Sequence, residues 1–179
     1  MRKSRVAFAT LAGVFVVSGS LFACGDKLVL LGRGVRLQRM LATKHPATIL
    51  VYLNPGAGIS AADREYQLRS LLKLAGHKPR AVTTAAELTT ELNSGKYQVV
   101  LTDYSDAASL KKEIQASKAS PSLIPVVYNP TADQRAAAEK QYSCVITPAK
   151  KNYDLLHVVD QAMVSRGENS SPVCKKNRA

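Results

Sequence analysis

Tryptophan is absent from the chain, and aromatic residues make up only 6% of its 179 positions. So few rings leave no platform on which unpaired bases could stack, which argues against nucleic acid as a partner. Acidic side chains are scarce too, with 13 Asp and Glu against 25 Lys and Arg. That imbalance favours anionic partners such as lipid headgroups or acidic polymers, with a merely solvated basic surface as the plainer alternative. Neither G-x-G-x-x-G nor G-x-x-x-x-G-K-[ST] occurs, so Gly32-Arg33-Gly34 reads as a flexible turn carrying solvated arginines. No serine lies in G-x-S-x-G and no nucleophile–histidine pairing is evident, so the chain is expected not to be an enzyme. The three cysteines form no C-x-x-C pair and no Cys/His cluster, which leaves a structural metal without support. His45, His77 and His157 are scattered and read as surface or packing residues.

Long apolar runs are missing as well. Val6 to Val17 is nearly unbroken, yet it falls short of the roughly 20 residues that span a bilayer. It follows Arg2, Lys3 and Arg5 and precedes Ser18-Gly19-Ser20, the layout of a secretory signal peptide over residues 1–23. Leu21-Phe22-Ala23-Cys24 resembles a bacterial lipobox, in which the cysteine is lipidated and becomes the new N-terminus. A plain cut after Ala23 would instead leave Cys24 as a free thiol or a disulfide partner. Both outcomes stay open, and both place the chain in the periplasm or on a membrane of a bacterial envelope. Removing residues 1–23 leaves 22 basic against 13 acidic side chains, about +9. An oxidising compartment permits pairing, and an odd cysteine count leaves one over. Cys24 and Cys174 are the candidates for a staple between the ends, while Cys144 sits in an apolar strand pattern as a small core residue.

Residues 24–47 form a basic N-terminal extension, able to lie on a membrane beside Cys24. Residues 48–166 form one domain, and 167–179 a polar tail. Thr48 to Leu53 is a continuous apolar run, as a parallel strand buried on both faces requires. Asn54 to Gly58 is a loop, and Ser60 is placed to cap a helix whose inward face carries Leu68, Leu71, Leu72 and Ala75. Gly76 suits a left-handed cap at its end. Further strands are expected at Pro79–Val82, Tyr97–Thr102, Leu123–Tyr128 and Cys144–Ile146. Helices between them start at the capping box Thr84–Glu87, at Ala107 and at Thr131. Leu155, Val158, Val159, Ala162 and Met163 mark a closing amphipathic helix. Such alternation predicts an α/β three-layer sandwich with a five-stranded parallel sheet of flavodoxin-like order 2-1-3-4-5. The crevice of that architecture lies at the carboxyl ends of strands one and three.

Several phrases in order carry a family resemblance over about 116 residues, 48–163. Leu68 to His77, Gln98 to Asp103, Ile124-Pro125-Val126-Val127, and Ile146-Thr147-Pro148 with Leu155-Leu156 resemble the receiver (CheY-like) domains of response regulators. The resemblance implies Asp103 as phosphoacceptor candidate, Mg²⁺ as its cofactor, and Asn54, Thr131 and Thr147 as the other crevice positions. The chain departs from the family there. The acid pair after the first strand is replaced by Leu53-Asn54, the lysine before the last proline by Thr147, and the switch Ser/Thr is displaced to Thr131. Magnesium is usually held by one or two carboxylates, so a lone Asp103 is a poor site for it. The expectation is an exported pseudo-receiver, without cofactor, that binds another protein in the cell envelope. Phosphorelay through Asp103 with Mg²⁺, and an anion or small-ligand binder at the crevice, are the alternatives.

Overall fold

Residues 42–148, 153–168 and 174 are described by a computed structural model. The export segment with Cys24, the Gly32-Arg33-Gly34 turn, Lys150, Lys151 and the rest of the tail lie outside them.

Four segments form strands: β1 (Thr48–Tyr52), β2 (Lys78–Val82), β3 (Val99–Asp103) and β4 (Ser122–Val126). They pair in parallel in the order β2-β1-β3-β4. Side chains alternate across the central strands and are buried on both faces, as parallel strands require. Ile49, Val51, Val99 and Leu101 enter one core, and Leu50, Tyr52 and Val100 enter the other. The first core is completed by α1 (Gly58–Tyr66), α2 (Leu68–Leu74) and α6 (Tyr153–Gly167), through Ile59, Leu68, Leu72, Leu155 and Val159. The second is closed by α3 (Ala85–Asn93) and α4 (Tyr104–Ala116), through Leu88, Leu92 and Ile114. Helices on both faces of a parallel sheet make a three-layer α/β domain, compatible with the flavodoxin-like arrangement. The remaining helix, α5 (Ala132–Gln141), buries only Ala138.

Thr84 and Glu87 form the expected capping box on α3, and Thr131 with Gln134 forms another on α5. Gly76 ends α2 with φ +96°, a conformation that favours glycine. Ser60 does not cap: Ala57 is the N-cap of α1, and the Ser60 hydroxyl, one turn in, donates to the Asn54 carbonyl at 2.9 Å. The single helix expected over residues 60–75 is two. Gln67 takes a left-handed conformation, φ 51° and ψ 45°, between α1 and α2. Buried Asp63 stabilises the break by accepting from the Arg69 backbone N–H at 3.1 Å and from its Nε at 2.8 Å.

The expected fifth strand contracts to one bridge, Ile146 to Val126. Ile146 N–H donates to the Pro125 carbonyl and Val127 N–H to the Ile146 carbonyl, both at 2.9 Å. Extending this ladder would need an N–H from Pro125 toward residue 144 on one side and from Pro148 toward residue 127 on the other. Proline has none, so the ladder stops in both directions. The opposite edge is blunted by the same chemistry. Lys78 N–H donates to Ala47 and the Val82 carbonyl accepts from Leu53, so Pro79 and Ala81 turn their main-chain groups outward. With no N–H at Pro79, β2 is a poor template for another strand.

Cys174 pairs with Cys144 rather than Cys24. Cys144 is a core residue as expected, but the disulfide brings Cys174 against the same core, and Cys174 N–H donates to Ser143 at 3.2 Å. Cys174 thus lies beside the segment that fails as a strand. A bridge spanning 30 residues should stabilise the fold by about 3 kcal/mol through the entropy it removes from the unfolded chain. Urea denaturation with and without a dithiol reductant should show that difference; coincident curves would mean the tail is not stapled.

Candidate functional site at the carboxyl ends of β1 and β3

Asp103 ends β3 at the expected position and is 8% exposed. One oxygen, Oδ1, accepts from Ser105 N–H at 3.0 Å and from Ser105 Oγ at 2.8 Å, which caps α4. The other, Oδ2, accepts from Ile59 N–H at 2.9 Å, in the first turn of α1. Ala57, the N-cap of α1, offers no side chain for that duty. One carboxylate therefore caps two helices that leave neighbouring strands, and both helix dipoles point their positive ends at it.

The β1–α1 loop is drawn in around this group. Asn54 accepts from Ala57 N–H at 3.1 Å through its carbonyl, and its Nδ2 donates to Asp106 Oδ2 at 3.0 Å. Gly58 makes the close approach possible: a Cβ there would stand 3.0 Å from both Asp103 Oδ2 and Tyr128 Cβ. Tyr128, at the end of β4, covers the loop and donates to Glu65 Oε2 at 2.6 Å, with its ring edge-on to Tyr66. The hydrogen bond to Glu65 holds the Tyr128 hydroxyl above its usual pKa.

Of the expected crevice residues, the topology brings Asn54 and Asp103 to one end of the sheet but does not bond them to each other; each is held by a residue of α4 or α1. Thr131 is exposed and occupied as the N-cap of α5. Thr147 is half-buried, one residue past the Ile146 bridge. Gly58 belongs to the loop expected at the crevice, whereas Asp106, Ile59, Ser105 and Tyr128 are not among the expected site residues. Of these four only Ser105 left a signal in the sequence, since Asp-x-Ser after a strand is a local capping phrase. The residues present do not fit an octahedral magnesium shell: both Asp103 oxygens already accept hydrogen bonds, and Asn54 presents a donor to Asp106. Among the described residues, no group of three or more His, Cys, Asp or Glu is arranged to hold a metal.

No protein-family model, curated protein or solved structure matches this chain.

His45 and His77 lie near the opposite, amino-terminal end of the sheet. His77 is 4% exposed; its Nδ1 accepts from Ala47 N–H at 3.2 Å, and its Nε2 has no hydrogen-bond partner among the described residues. Burial lowers its pKa below 6.5, with the Asp160 charge pulling the other way. Burial also pushes Asp160 up, but hydrogen bonds from His45 Nδ1 at 3.0 Å and Thr43 Oγ1 at 2.9 Å outweigh it and hold the carboxyl below 3.8.

Two predictions follow from these two ends. Asp103→Ala should cost about 3 kcal/mol in a urea melt, because it strands buried donors. Asp103→Asn should cost about half, since an amide oxygen can still serve one helix; equal stability for all three proteins would refute the double cap. For His77, a lowered folded pKa means the unfolded chain binds the proton more readily. Its contribution is therefore complete above about pH 6.5 and lost as pH falls through the lower folded value. His77→Gln keeps an acceptor for Ala47 and should flatten the stability–pH curve below 6.5; an unchanged curve would assign the acid sensitivity elsewhere.

Proposed function

We propose that the chain is an exported pseudo-receiver, a non-catalytic module that binds another protein in the cell envelope. The observation that carries this reading is the Asp103 carboxylate, whose two oxygens accept three hydrogen bonds from the starts of α1 and α4. A phosphoacceptor must attack with an oxygen lone pair while cations offset the phosphoryl charge. Here both oxygens are engaged in holding α1 and α4, and no second acid stands beside them after β1. Transfer to Asp103 would break the bonds that seat two helices.

Anion binding in the crevice gains little support from the loop. The N–H groups of Ala57, Ile59 and Ser60 already donate to Asn54, Asp103 and Ala57 respectively. A protein-binding role rests on the outer surface instead. Helix α5, with Ala136, Ala137 and Lys140 exposed, lies on the side where receivers commonly present a partner face, next to the Ile146 bridge.

Incubation with acetyl phosphate and Mg²⁺ should leave the intact mass of the protein unchanged. Beryllofluoride with Mg²⁺ should leave the amide resonances of Gly58, Ile59 and Ser105 in place. A phosphoryl adduct on Asp103, absent in Asp103→Asn, would replace this reading with phosphorelay.

A further inference from the structure

We propose that the corner formed by α1 and α2 docks on anionic phospholipid headgroups. An open notch of about 320 Å³ lies there, lined by Asp63, Arg64, Gln67, Arg69, Ser70 and Lys73. Its one acid is already spent, because Arg69 holds both Asp63 oxygens through its backbone N–H, Nε and Nη2, the last at 2.7 Å. Arg64 and Lys73 remain as exposed cations, and among the described residues neither forms an ion pair. Ser70 and Gln67 add a hydroxyl and an amide, which suit the oxygens of a phosphodiester.

Leu74 favours a lipid surface over a soluble anion. It follows Lys73 directly and is 39% exposed, one of two large apolar side chains so exposed among the described residues. Cations beside an exposed apolar side chain match an interface of headgroups over acyl chains. The route of the chain points the same way. Thr43 N–H donates to the Ala75 carbonyl at 2.9 Å, so the segment leading from Cys24 joins the domain next to Lys73 and Leu74. On the envelope reading, a lipid on Cys24 would hold the chain at a membrane that this surface can then bind. That last step rests on the envelope reading above; the binding itself does not.

Flotation of the purified full-length chain on phosphatidylcholine vesicles, with and without phosphatidylglycerol, tests it. The apolar segment before Cys24 contributes to both vesicle types, so the readout is the gain conferred by the anionic lipid. Arg64→Gln with Lys73→Gln should reduce that gain roughly 30-fold, about fivefold for each cation at the headgroups, with the thermal midpoint unchanged. Leu74→Ser should reduce it further. A gain equal to wild type in the double variant would overturn the proposal, placing the contact elsewhere. So would an unaltered Leu74→Ser protein whose binding is displaced by inorganic phosphate, which marks a soluble-anion site. Cell fractionation that finds the chain in the cytosol would remove the envelope setting and leave the vesicle result standing.

Discussion

A single carboxylate decides how the two central strands hand over to their helices. β1 and β3 lie side by side, and α1 and α4 start beyond them with N–H groups that need acceptors. Asp103 supplies acceptors to both, through Ile59 and Ser105. Its burial is affordable because each oxygen meets a donor and two helix dipoles converge on the charge. The arrangement also explains Gly58, since a methyl group there would press on the carboxylate and on Tyr128. The lone pairs that hold the helices would have to be given up in part for Asp103 to take another partner.

The sheet is finished by removing donors rather than by adding strands. Pro79 turns a blank position outward on β2, and Pro125 with Pro148 confines pairing beyond β4 to Ile146. The Cys144–Cys174 bond then does by a covalent link what a longer ladder would have done by hydrogen bonds, fastening Cys174 beside the short edge. An open parallel sheet with both edges treated in this way resists strand addition. A partner would therefore meet helices and side chains, among them the exposed face of α5, which buries only Ala138.

Most of the scaffold was legible because its signals are local. Continuous apolar runs gave β1, β3 and β4, and Thr84–Glu87 and Thr131–Gln134 marked two helix starts within four residues. The failures share a cause. Cys144-Val145-Ile146 has the composition of a strand, but pairing depends on which N–H groups face it, and that requires knowing the register of Pro125. The helix break at Gln67 follows from buried Asp63 reaching Arg69 across it, a contact that periodicity does not encode. The cysteine partners were misassigned because closeness to the chain ends says nothing about which sulfur lies next to which. At the site, the missing acids were visible in Leu53-Asn54, whereas the Asn54–Asp106 bond joins residues 52 apart.

The two ends of the sheet carry opposite commitments. At the carboxyl end, every polar group named in the loop has a partner within the domain, and Tyr128 lies over it. At the amino end, His77 keeps one ring nitrogen without a partner among the described residues, and Thr43 is bonded to Ala75 and Asp160. A fold whose usual crevice is sealed by its own capping bonds has its remaining recognition chemistry on the outside. Its uncompensated charge at the α1–α2 corner is positive, and Thr43 is bonded to Ala75 at the far end of α2. On the proposed headgroup contact, the free cations Arg64 and Lys73 are the groups that a negatively charged surface would engage.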